Sequence, residues 1–263
     1  MPNRNNSLSV VVPLSILNRN LSTLQLWLAK TKNISILKQV IIVVDKLKDE
    51  SFDTIPLKNK LRLNSKIQIL EGNYNSPGKA RNIGLKLVSS RFVTFWDSDD
   101  YPILSSLDVL EDQFLIDYDI QIFKFRTNNK VSKTIKYFGN DNISILRNLG
   151  LWRMVFRVEF LDGITFCESR MGEDQVFYAE CLAKNPRISK IEVVMYEYII
   201  HEGYQLTKDK YAISEIKDSR QNLFEIIRKS PKLHPILIMM LIRLTFTELK
   251  AHVTFKIKRK FNG

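Results

Sequence analysis

Three short apolar runs punctuate the first hundred residues, at 8–12, 40–44 and 92–96, each bounded by turn or charged residues. Runs this short and unbroken predict strands buried on both faces, as in a parallel sheet. Residues 67–70 add a fourth, shorter strand. Between them the period changes. Leu21, Leu24, Trp27 and Leu28 recur at helical spacing over 21–29, and residues 80–88 read as a second helix after a turn-rich loop at 73–78. Residues 46–66 are polar and charged, a loop with a short helix. Strand–helix alternation predicts an open α/β sheet, and ligands of such sheets bind beyond the carboxyl ends of the strands. Asp45 and the run Asp97-Ser98-Asp99-Asp100 stand at two such ends.

Beyond residue 102 the pattern is less regular. Helices are expected over 105–114, 143–149, 173–183 and 214–228, and strands over 120–126, 133–137 and 191–199, the first two of these antiparallel. The expected division is one α/β domain over 1–212, its halves meeting near residue 102, followed by a basic helical extension over 213–263. A chain of 263 residues with 44% hydrophobic content suits this size.

Charge changes the picture at the C-terminus only. From Arg228 to Gly263 nine Lys/Arg face the single acid Glu248, a net +8 out of a total of +12. A strongly basic chain raises the prospect of nucleic acid, but the expected crevice is acidic and would repel a phosphate backbone. Nucleic acid is therefore not expected as a partner. An anionic membrane surface is the expected partner of the tail, weighed against a solvated helix end or a subunit contact. The two cysteines, Cys167 and Cys181, sit in apolar contexts without metal-ligand spacing and point to a reducing compartment. The first nine residues lack the apolar core of a signal peptide, and the longest apolar run, 236–242, is too short to span a bilayer.

Three carboxylates in four residues at 97–100 repel one another unless a cation or solvent compensates, and hard oxygen donors suit Mg²⁺ or Mn²⁺. The alternative is an Asp-rich solvated turn. Gly72 and Gly78-Lys79 invite a phosphate-loop reading. It fails, because five residues separate the glycines where that motif has four, and Ala80 stands where a metal-binding Ser/Thr belongs. Gly172-Glu173-Asp174 opens the helix over 173–183. It reads either as a helix cap or as the source of a general base, presented 75 residues after Asp99.

Together Val10-Val11-Val12-Pro13, Ile41-Ile42-Val43-Val44-Asp45, Gly78-Lys79-Ala80-Arg81-Asn82-Ile83-Gly84-Leu85, Phe95-Trp96-Asp97-Ser98-Asp99-Asp100, Leu151-Trp152-Arg153 and Gly172-Glu173-Asp174 resemble the inverting glycosyltransferases of family 2, over residues 8 to about 207. The resemblance implies a GT-A fold, with a Rossmann-like, mostly parallel sheet flanked by helices. It implies transfer of a sugar from a nucleotide-sugar, UDP-linked by preference, to a glycan or lipid-linked acceptor in cell-surface polysaccharide or lipooligosaccharide synthesis. The donor site would comprise Pro13, Ser15, Asp45, Lys79, Arg81, Asp97 and Ser98, with Asp45 and Arg81 on the base. Asp97 and Asp99 would hold Mn²⁺ or Mg²⁺, and Asp174 would be the base. Trp152, Glu173 and His201 would lie on the acceptor side. The expected location is cytoplasmic, peripheral to the inner face of the plasma membrane. The sequence departs from the family where Lys46-Leu47-Lys48 follows Asp45, and where Leu14-Ser15-Ile16 follows Pro13 in place of a Tyr-Asn pair. Two other readings compete: a nucleotidyltransferase, which lacks the required phosphate-clamping loop after residue 13, and a homologue without activity, which the retained acidic motifs oppose.

Overall fold

The first apolar run lies at the centre of the sheet as β1 (Leu8–Ser15), with Leu8, Val10, Val11 and Val12 fully buried. In the computed structural model the described residues are 7–15, 21–46, 59, 64–110, 118–130, 132–169, 172–200, 212–230, 232 and 234–261, the side chains of 108–110, 212–213 and 251–261 excepted. Strand β1 pairs in parallel with β2 (Leu37–Asp45) on one side and with β4 (Phe92–Phe95) on the other; β3 (Ile67–Gly72) pairs in parallel with β2. Pro13 does not end β1 as expected. Val11 O accepts from Trp96 N on the β4 side, so Pro13, two residues on, turns its missing N–H to the same side. Pairing with β4 has already stopped at Val11↔Phe95, so no ladder bond is lost there.

The second half completes the sheet. Strand β8 (Met154–Arg157) runs antiparallel to β4 and to β6 (Ile120–Asn129), β6 runs parallel to β9 (Ile188–Ile200), and the two-residue β5 (Tyr101–Pro102) edges β9. Strand β7 (Thr134–Phe138) pairs antiparallel with β6, as expected. The order is β3-β2-β1-β4-β8-β6-β9-β5, a mixed and mostly parallel sheet.

Alternation along the strands sorts the core into two clusters. Val10, Val12, Val40, Ile42 and Trp96 pack with Leu24, Trp27 and Leu28 of α1 (Leu21–Lys30). Val11, Ile41, Val43 and Phe95 join the other cluster. It includes Ala80 of α2 (Pro77–Leu85) and Phe177 of α5 (Glu173–Ala183). Leu223 of α6 (Ala212–Lys229) and Ile236, Leu237, Met240 and Leu244 of α7 (Pro235–Phe261) belong to it as well, so the C-terminal helices pack on the same core as α5. Two shorter helices, α3 (Ser105–Leu110) and α4 (Asn142–Arg147), complete the described set, together with short 3₁₀ turns. Helix α2 begins three residues before the expected start at 80. Ser76 Oγ caps it by accepting from Lys79 N, and Pro77 occupies its first turn, where its missing N–H costs nothing. Helix α4 is shorter than expected because Asn148 leaves helical geometry and Gly150 follows. Cys181 is buried as expected but Cys167 only half so, and both are free thiols. No helix among the described residues is long and apolar enough to cross a membrane.

Candidate active site

The acids singled out in the sequence gather where β2 and β4 end. Asp45, the last residue of β2, accepts from the backbone N–H of Tyr74 (2.7 Å) and of Asn75 (2.9 Å) through one oxygen. It thereby holds the loop after β3, where Asn75 takes a left-handed φ of 54°. That loop delivers α2, and α2 is stitched to the segment leading into α5. Asn82 Nδ2 donates to Phe166 O (2.9 Å), and Phe166 N donates back to Asn82 Oδ1 (2.8 Å). Ser76 Oγ donates to Ser169 O (3.3 Å). At Gly78 an added Cβ would lie 2.3 Å from Cys167 O, so only glycine allows this approach.

The stitching brings Arg81 to the start of α5. Its buried guanidinium contacts Asp97 (Nη2–Oδ1 2.9 Å), Glu173 (Nη1–Oε1 2.7 Å) and Asp174 (Nη1–Oδ1 3.2 Å). The first two are hydrogen bonds. The third is an ionic contact without hydrogen-bond alignment, and Asp174 Oδ1 is among the buried atoms that make no hydrogen bond. Burial alone would lower the Arg81 pKa, but Asp174, Asp97 and Glu173 together raise it, so it stays charged. One cation among three carboxylates leaves an excess of negative charge. Burial pushes the Asp174 carboxyl up to about 7; Arg81 opposes this, Glu173 and Asp97 add to it, and the Leu151 amide lowers it. Burial likewise raises Glu173 against the pull of Arg81. The resemblance assigned Arg81 to the nucleotide base. Here its side chain is 6% exposed and turned onto protein carboxylates, so base contact is not the role this geometry offers it.

The acidic turn after β4 divides its labour. Asp100 is 1% exposed, accepting from Tyr196 Oη (3.0 Å) and from Ile199 N (2.7 Å) on β9. Tyr196 Oη accepts in turn from Asp97 N (3.1 Å). Burial, and then Asp99 and Asp97, push the Asp100 pKa well up. Asp100 and Tyr196 therefore anchor the turn on the second half of the sheet. The sequence reading counted Asp100 among the carboxylates suited to a cation and missed Tyr196, although the apolar and aromatic run at 193–200 was the signal that β9 is buried. Ser98 is buried as well, whereas Asp99 is exposed and Asp97 partly so. Among the described residues no group of three potential metal ligands converges. Mg²⁺ and Mn²⁺ sites of this kind use one or two carboxylates and take the remaining oxygens from substrate phosphates and water. Asp99 and Asp97 fit that donor set.

The other expected residues scatter. Pro13 and Ser15 close the carboxyl end of β1. Lys79 pairs with the exposed Glu168 (2.8 Å). Trp152 is 7% exposed and stacks on Tyr196 at 4.6 Å, with Phe125 edge-on at 4.7 Å, so most of its ring serves the core beneath the site. Its neighbour Leu151 reaches Asp174 through its backbone amide. His201 lies outside the described residues. Two surface cavities, of about 460 and 280 Å³, are lined by other residues, among them Tyr118, Tyr178 and Lys190 in the first and Cys167, Glu180 and Lys229 in the second. Neither is lined by Arg81 or its partners, so the converging carboxylates lie apart from both.

Comparison with known proteins identifies the family and the fold. The profile described as Glycosyl transferase family 2 matches residues 9–164. Poly(ribitol-phosphate) beta-N-acetylglucosaminyltransferase TarS of Staphylococcus aureus is 26% identical over 233 residues, which cover 84% of this chain and 39% of the relative. The chain thus spans about two-fifths of the length of that relative. The crystal structure of S. aureus TarS 1-349 in complex with UDP-GlcNAc superposes with a TM-score of 0.68 at 21% identity, covering 91% of this chain and 71% of the other. The mannosyltransferase PcManGT from Pyrobaculum calidifontis, in complex with GDP-Man and Mn²⁺, gives 0.62 at 14% identity, covering 92% and 70%. These structural likenesses establish the GT-A fold. The family profile spans more than half of the chain, and the protein belongs to glycosyl transferase family 2.

Proposed function

We propose that this chain transfers a sugar from a UDP-sugar to an acceptor hydroxyl with inversion, in the assembly of a cell-surface polysaccharide. The observation that carries the reading is the convergence of Asp97 with Glu173 and Asp174 on the single buried guanidinium of Arg81. Residues 76 and more positions apart in the chain meet there, beside the exposed Asp99, beyond the carboxyl end of β4. A donor-side turn and a candidate base are thereby held in one rigid unit, as displacement at a sugar carbon requires.

Asp174 takes the proton of the acceptor hydroxyl as its oxygen attacks the anomeric carbon. The bond from that carbon to the diphosphate breaks on the opposite face. A base with a pKa near the working pH suits this transfer, and burial holds Asp174 near that value. Arg81 fixes the base and the donor-side Asp97 relative to one another. A divalent ion, when bound, supplies positive charge to the leaving diphosphate, and Asp99 with Asp97 would hold it. The UDP-GlcNAc complex of the relative TarS, a beta-N-acetylglucosaminyltransferase, supports UDP as the first nucleotide to test and N-acetylglucosamine as the first sugar. The acceptor class is a glycan, polyol-phosphate or lipid-linked hydroxyl, and the reaction is assigned to the cytoplasm, where nucleotide-sugars are made.

Calorimetric titration of UDP, GDP, CMP and dTDP, with and without Mn²⁺, tests the donor site. The expected result is metal-dependent binding of UDP that disappears in Asp99→Ala. Binding of no nucleotide by folded protein, with any metal, would overturn the reading.

A further inference from the structure

Helix α7 is apolar on two sides, and among the described residues only one is covered. Ile236, Leu237, Met240 and Leu244 are buried in the core cluster with α5 and α6. Ile238, Met239, Ile242, Phe246 and Leu249 are between 40% and 68% exposed. Residues 238, 242, 246 and 249 follow one another at spacings of four, four and three, so they line a single stripe on the side away from that core. At 1.5 Å per residue the stripe is roughly 17 Å long. An apolar face of this kind on a surface helix marks an interaction site.

Charge indicates what covers it. Arg243 and Lys250 are exposed on the same helix, and the sequence continues with Lys256, Lys258, Arg259 and Lys260 as the helix runs on to Phe261. The one acid of the segment, Glu248, pairs with Arg220 of α6 (2.5 Å), back toward the protein. A second copy docking stripe to stripe would set this net +8 segment against itself, because a two-fold contact matches each patch with its own kind. An anionic lipid surface accepts both features at once. The apolar stripe enters the headgroup–acyl boundary, and the basic residues lie against the lipid phosphates.

We propose that the outer stripe of α7 docks the protein on an anionic lipid bilayer, its axis in the plane of the membrane. This rests on the helix alone and is independent of the chemistry assigned above. The test is flotation of the full chain with vesicles of phosphatidylglycerol and phosphatidylcholine, against phosphatidylcholine alone. Ile242→Glu/Phe246→Glu and Arg243→Gln/Lys250→Gln serve as variants, and circular dichroism checks that they fold. Binding to the anionic vesicles is expected, weakening as ionic strength rises to about 1 M, where screening shortens to roughly 3 Å. Partitioning should fall at least about 10-fold in the glutamate variant, and about 10- to 30-fold in the glutamine variant. Three results would each overturn the proposal: no preference for anionic vesicles, undiminished binding of the folded glutamate variant, or a dimer in sedimentation that the same glutamates dissociate while vesicles are ignored.

Discussion

Asp174 is asked to be both buried and ionised, and that conflict has consequences at the scale of a single residue. Its folded-state pKa near 7 stands above its ordinary value of 3.8. The folded state therefore holds this proton more tightly than the unfolded chain, and the group lowers stability progressively as pH rises from about 4 to about 7. Asp174→Asn is expected to raise the melting temperature at pH 8, by about 1–2 kcal/mol or roughly 2–8 °C, and to leave it unchanged near pH 3; thermal scans across pH check this. Transferase activity of the same variant should fall by a factor of about 10² to 10⁴. In the wild type, kcat/KM should rise with pH through an acid limb near 7. Tyr196→Phe keeps the stack on Trp152 but loses both hydroxyl bonds, leaving Asp100 Oδ2 and Asp97 N without them. The acidic turn should loosen, Mn²⁺ affinity measured in the presence of UDP should drop about 3- to 30-fold, and stability should fall by about 1–3 kcal/mol.

At the scale of the element, α2 is the part on which the site depends. Its position follows from close approaches on two sides. Gly78 meets the backbone at Cys167, and Gly84 meets β1, where an added Cβ would stand 2.4 Å from Val11 Cγ1. Val11 is fully buried in the central strand and has little room to yield. Gly84→Ala is expected to push α2 off the sheet and cost about 1–3 kcal/mol in denaturant unfolding. Arg81 rides on the same helix, so activity should fall further than stability accounts for, with Glu173 and Asp174 losing their counter-charge. A variant that unfolds at lower denaturant yet transfers sugar at the wild-type rate would show that Arg81 does not need this placement.

For the whole molecule, the proposal that Asp97 and Asp99 hold a divalent ion predicts that donor and metal behave as one ligand, because two carboxylates leave the remaining positions of such an ion to phosphate and water. UDP with Mn²⁺ at about 100 times the dissociation constant should stabilise the fold by about 2.7 kcal/mol, a rise of roughly 5–10 °C for a chain of this size. UDP with a chelator should give little or none of it. Equal shifts with and without metal in a thermal melt would separate nucleotide binding from the acidic turn. Along the chain the charge is uneven: the site gathers acids from residues 97 to 174, and a net +8 falls on residues 228–263, the segment that carries α7.

Much of the fold could be read along the chain because its determinants are local. Strands buried on both faces need unbroken apolar runs, so β1, β2 and β4 declare themselves, and the acids at the ends of β2 and β4 must stand at the carboxyl edge of the sheet. The helix at 173–183 and the amphipathic α6 are likewise written in their spacing. Helix α2 starts before its apolar period because the Ser76 cap and Pro77 in the first turn set its N-terminus. The site was legible as residue types and illegible as contacts. Asp97, Asp99, Glu173 and Asp174 stood out as acids, but that Arg81 binds three carboxylates follows from a loop held by Asp45 and a clamp between Asn82 and Phe166, 84 residues away. That Asp100 is an anchor follows from Tyr196, 96 residues further on. The sequence by itself determined which segments bury their backbone in the sheet and where negative charge accumulates, since periodicity and composition act within a few residues. Only the tertiary structure decided which charge faces which, because burial and pairing are properties of surfaces that meet after the chain has folded.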